Sequence, residues 1–148
     1  FAIAAVGDAH LRHVLTQKIL EGGLHPAVAV HPFAQVARTA VLGAGTVVMP
    51  AAIIAPDCRV GGGCIINTSA SVDHDCDLDD YVQIAPGAHL GGNVRVGAGT
   101  FVGMGCVLRE KIVVGAESIL GAGSVVVSDI PDHVLAYGVP ARVIRRLD

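Results

Sequence analysis

The chain has 148 residues, a formal net charge of −3, 19 Gly and only 3% aromatic residues. No basic run exceeds Arg145–Arg146, which excludes a nucleic-acid stripe. An apolar content of 52% with no Trp excludes an ordinary ring-filled core and suggests a narrow interior of small aliphatics.

Taken in chain order, Ala2–Val6 reads as a short strand and Gly7-Asp8 as a turn. Leu11 to Leu20 reads as a helix, with Leu11, Val14, Leu15 and Ile19 on one face, and Gly22-Gly23 stops it. Val28–Val30 is a second strand. A strand–helix–strand unit is half of a nucleotide-binding lobe. Because the chain opens at Phe1 and not Met, an upstream β–α segment is expected. No signal peptide is visible. The uncharged stretch Thr39–Pro56 is long enough for a membrane span, but Pro50, Pro56 and its small-residue breaks argue against one.

From Leu42 onward a six-residue period takes over. Leu42, Val48, Ile54, Val60, Ile66, Val72, Leu78, Ile84, Leu90, Val96, Val102, Leu108, Val114, Leu120 and Val126 follow one another without an insertion. Four residues after each stands a mostly small residue, and all four cysteines (Cys58, Cys64, Cys76, Cys106) fall there. That placement reads them as small buried hydrophobes, not as disulfides or metal ligands. Seven windows carry Gly directly after the aliphatic, Gly43 and Gly91 among them, which suggests either unusual backbone angles or close approach. A hexapeptide repeat predicts a parallel β-helix, with three windows per 18-residue coil and coils about 4.8 Å apart. Residues 1–30 then form a partial α/β lobe, 31–131 the β-helix and 132–148 a C-terminal cap. In the tail, Gly138 and Pro140 mark a turn.

This repeat resembles the left-handed β-helix acyltransferases, and the left hand comes from that resemblance. Acyl transfer from a thioester needs a base, a donor for the oxyanion and two substrates held together. Of seven histidines, only His74 and His89 lie in the solenoid proper. His74 occupies an outward position between Asp73 and Asp75, and a carboxylate can orient the ring and raise its basicity. Asp75 is favoured as that partner. One coil on stands Gly92, which leaves space and an approachable N–H beside the imidazole.

Within that superfamily the chain resembles the PglD/NeuD-type sugar acetyltransferases, through Gly7-Asp8, Leu11-Arg12, His31-Pro32, Ile66-Asn67-Thr68, Val72-Asp73-His74-Asp75-Cys76, Gly91-Gly92-Asn93-Val94, Ser118–Gly123 and Gly138-Val139-Pro140-Ala141. The resemblance implies that His74 is the general base and Asp75 its acidic partner. It places acetyl-CoA contacts on Gln83, Gly92, Met104 and Ala122, and a sugar contact on Gly7, which could equally do no more than permit a turn. Gln83 stands where some members carry a second histidine, and His89 is a candidate to replace it. The Gly-Val-Pro-Ala-Arg stretch implies proximity to the nucleotide end of CoA or a simple cap. Also implied are a cytoplasmic bacterial homotrimer with sites between subunits, no metal and no membrane span. The expected reaction is acetyl-CoA-dependent N-acetylation of a nucleotide-linked amino sugar. Alternatives are sialic acid O-acetylation and a non-catalytic scaffold. A zinc enzyme of the same fold needs three histidines that the solenoid lacks.

Overall fold

The computed structural model describes residues 1–148. Seventeen two-residue strands, from Ala29–Val30 to Val125–Val126, recur every six residues. Each pairs in parallel with the strand 18 positions away, as in Ala29↔Val47 and His89↔Val107. The strands therefore sort into an eight-stranded, a six-stranded and a five-stranded sheet, the three walls of a solenoid. Val48, Ile66, Ile84, Val102 and Leu120 form one inward ladder and are almost wholly buried. They join a core of 28 buried residues without a single aromatic ring. At the first coil the ladder is covered on one side only, and Val30 stays 45% exposed.

The turns explain the rest of the repeat. In every turn from Gly45 to Gly123 the third residue after the aliphatic has a positive φ, whether it is Gly or a residue such as Ser69, Asp75 or Asn93. The unusual angles thus lie two residues beyond the glycines that follow the aliphatics. Those glycines serve close approach instead: a Cβ on Gly43 would stand 2.5 Å from the main chain of Gly61. The four cysteines are free and buried. Each donates its S–H to the carbonyl 15 residues on, at 3.0 to 3.2 Å. Thr46 and Thr100 donate in the same way at 2.7 and 2.6 Å, so this column consists of small corner donors and is not simply apolar. Burial raises the Cys64 thiol to about 12, which keeps it protonated and inert.

The first segment differs from expectation in two ways. The strand expected at Ala2–Val6 reduces to one bridge between Ala2 and Pro26, and the strand at Ala29–Val30 is the first of the solenoid. The helix α1 runs Ala9–Glu21, with the Asp8 carboxylate accepting from the Leu11 N–H at its start. Its docked face holds only half of the apolar one, since Leu15 and Ile19 are half-buried beside it. Arg12 and Thr16 are buried, while Leu11 and Val14 are exposed. The reason is that Arg12 satisfies main-chain carbonyls of the solenoid corner, a polar surface that an aliphatic side chain could not pair. At the other end, Val134–Gly138 joins the eight-stranded sheet beside Ile119–Leu120, and Ala141–Arg146 returns antiparallel to it.

Candidate active site

His74 lies in the turn between Ser71–Val72 of the six-stranded sheet and Asp77–Leu78 of the five-stranded sheet. Its side chain is 61% exposed. Asp75, the next residue, has φ +60°, an uncommon angle that Asp tolerates better than most residues. In this turn its Oδ2 lies 2.8 Å from His74 Nδ1. Asp73 takes a different task and accepts the His74 main-chain N–H at 2.8 Å. The Asp75 hydrogen bond, with the nearby charge of Asp73, raises the His74 pKa above its ordinary value. With Nδ1–H donated to a carboxylate, Nε2 is left as the acceptor, the tautomer that a general base requires.

Gly92 stacks one coil beyond His74, and the space beside it is filled. A Cβ there would meet His74 Cε1 and Nε2 at 2.7 Å. The glycine therefore makes room for the ring itself. Equivalent turns differ in whether the main-chain N–H at this position is held. The N–H groups of Gly62 and Ala116 are held by Asp80 and Asp132, and those of Thr68 and His74 by Asn67 and Asp73. The Gly92 N–H, like those of Ala98, Met104 and Ala122, donates to no protein acceptor, and of these only Gly92 lies against His74. A donor left unpaired beside a candidate base can hold a developing oxyanion.

The other expected residues lie elsewhere on the prism. Met104 and Ala122 occupy turns joining the eight-stranded to the six-stranded sheet, and both are exposed. Gln83 lies on the outer side of the eight-stranded sheet, the wall opposite the His74 corner. Gly7 stands over it, since a Cβ on Gly7 would be 3.9 Å from Gln83 Oε1. Together they line a cleft of about 480 Å³ with His10, Phe101, Glu117 and His133. So one chain brings together His74, Asp75 and Gly92, and separately Gly7 and Gln83. It does not unite the two sets. His89 is on the six-stranded sheet, with Nδ1 2.8 Å from Ser71 Oγ. It is therefore on a different wall of the chain from Gln83. Phe101 and Ile119 were legible in line with Gln83, because Phe101 is 18 residues beyond it and Ile119 is 18 beyond Phe101. His10 and His133 carry no such signal, because they come from segments outside the repeat.

A family model described as bacterial transferase hexapeptide (six repeats) matches residues 75–110 and 93–128. The acetyltransferase domain of PglB from Neisseria gonorrhoeae FA1090 is 41% identical over 95% of this chain and 68% of its own, with a TM-score of 0.93. PerB from Caulobacter crescentus, solved with CoA and GDP-perosamine, is 42% identical over 97% of this chain and 69% of its own, with a TM-score of 0.95. WeeI from Acinetobacter baumannii AYE is 26% identical over 95% and 68%, at 0.91. No curated protein sequence matches.

Proposed function

This chain belongs to the hexapeptide-repeat sugar acetyltransferases, and from that premise we propose that it moves the acetyl group of acetyl-CoA onto the amine of a nucleotide-linked amino sugar. The relatives supply the substrate classes: the PglB domain was solved with acetyl coenzyme A, and PerB with CoA and a GDP-linked sugar. The observation that carries the reading is local. His74 is held at Nδ1 by Asp75, and its other edge lies against Gly92.

The reaction is a direct transfer. The sugar amine attacks the thioester carbonyl, and His74 Nε2 takes its proton. The proton on Nδ1 stays with the Asp75 hydrogen bond, which stabilises the imidazolium as it forms. The carbonyl oxygen becomes an oxyanion and receives the Gly92 N–H. The carbon–sulfur bond then breaks, and the thiolate of CoA leaves with the proton carried by His74. Gln83 donates its amide to the acetyl group or the sugar, and cannot titrate. Met104 and Ala122 present main chain to the pantetheine arm.

Because the His74 corner and the Gly7–Gln83 cleft face opposite ways, a complete site takes one half from each of two neighbouring subunits. A homotrimer fits this division. We read the coil as left-handed, and the first segment with α1 as part of an acceptor-binding lobe. The reaction belongs in the bacterial cytoplasm, where acetyl-CoA is made.

The test is CoA release, followed with acetyl-CoA and a panel of nucleotide-linked amino sugars and free sialic acids. Turnover is expected on an amino sugar, and His74→Ala should lower kcat by about 10²–10⁴. Turnover confined to sialic acids would replace N- by O-acetylation. Near-normal turnover by the variant would remove His74 from the mechanism.

A further inference from the structure

We propose that Arg12 is the positioning residue of the acceptor half of the site: it fixes the Val6–Gly7–Asp8 turn over Gln83 and so sets acceptor affinity without touching either substrate. This rests on the reading that the Gly7–Gln83 cleft takes the sugar.

Arg12 is 1% exposed and is the one charged residue in the buried set. No carboxylate pairs with it, since the single ion pair of the chain is His74–Asp75. All its partners are main-chain carbonyls. Nε donates to Gly63 at 2.6 Å, Nη2 to Tyr81 at 2.7 Å, and Nη1 to both Gly7 at 2.7 Å and Val6 at 3.1 Å. Burial lowers its pKa more than the nearby Asp8 charge raises it, yet a guanidinium remains charged. Arg12 pairs four main-chain carbonyls that an apolar residue would leave unpaired, but a desolvated ion contributes little net stability. What the planar fork adds is direction.

That direction has one plain use. From Ile3 to Gly7 the main chain makes no hydrogen bond to other main chain. The carbonyls of Val6 and Gly7 are held by Arg12 alone. At its other edge the guanidinium grips Gly63 and Tyr81, which stack 18 residues apart at the corner where the five-stranded sheet turns into the eight-stranded one. Tyr81 is two residues before Gln83, and His13 of the same helix covers the Tyr81 ring at 4.7 Å. Arg12 therefore ties the Val6–Gly7 turn at the cleft's rim to the corner two residues before Gln83, and fixes the gap between rim and sheet.

The experiment uses Arg12→Lys and Arg12→Met in the full chain. KM is measured separately for a nucleotide-linked amino sugar that the native protein turns over and for acetyl-CoA, alongside thermal midpoint and molecular mass. Arg12→Met should raise the acceptor KM about tenfold or more, with the acetyl-CoA KM within about twofold of native. Arg12→Lys keeps the charge but loses the fork, and should fall between the two. Millimolar guanidinium should partly restore the acceptor KM of Arg12→Met. If the acceptor KM is unchanged in both variants, or both KM values rise together as the midpoint falls, the role assigned to Arg12 is overturned. Absence of turnover by the native protein on every amino sugar overturns the acceptor reading instead, and the Arg12 role with it.

Discussion

His74 has to lose its proton before it can accept another, so its raised pKa sets the acidic limb of the rate profile. The Asp75 hydrogen bond and the Asp73 charge raise it. The limb of kcat/KM should therefore lie above the ordinary histidine value of about 6.5. Asp75→Asn removes the larger cause, so the limb should move to lower pH while the plateau falls; a limb that stays in place would show that Asp75 does not tune the ring. Gly92→Ala gives a second check. Its methyl would meet the imidazole at 2.7 Å, so the ring must turn away. The expected result is a loss of kcat of about 10²-fold with little change in thermal midpoint, read by steady-state kinetics and a melt. Gly7 differs from both. Its φ lies outside the left-handed region and a Cβ would have room. The backbone does not need glycine at that turn. Gly7→Ala should leave the melt unchanged and raise the acceptor KM, which would place the requirement on the ligand; an unchanged KM would remove Gly7 from the site.

At the scale of the element, the column of corner donors is the part that can be exchanged. Cys106 and Thr100 have the same task, a donation to the carbonyl 15 residues on. Cys106→Thr should thus be nearly neutral in a thermal melt. Cys106→Leu has no room in a fully buried corner and should cost about 1–3 kcal/mol. The inward ladders, the 18-residue register and the His74–Gly92 stacking were legible in the sequence, because a repeat without insertions turns sequence distance into spatial distance. The same logic fails outside residues 29–126. An apolar periodicity put Leu11, Val14, Leu15 and Ile19 on one face of α1; Leu15 and Ile19 are half-buried, but the surface beneath presents corner carbonyls, so Arg12 and Thr16 take the buried centre and Leu11 and Val14 are left exposed. The Gly7–Gln83 cleft escaped notice for a related reason: three of its contributors, Gly7, His10 and His133, are brought to the sheet by segments with no period to read.

For the whole molecule, the decisive fact is that the base and the cleft are on opposite flanks of one prism. His74→Ala and a cleft variant such as Gln83→Ala should each be weak alone. Mixed after reversible dissociation, they should regain part of the native rate, because some interfaces then combine an intact corner with an intact cleft. No recovery would argue that each chain works alone. The unbroken spacing of the strands has a further consequence for how this chain can change. It acts as a ruler graduated in sixes. Deleting one residue inside a strand between His74 and Gly92 would swing the aliphatics that follow to the outside, moving Gly92 off His74 and unwinding the column beyond it. Added length can enter only where the main chain already bends outward, at the corners, so lineages of this protein can lengthen by growing loops there or by whole coils, and by little else.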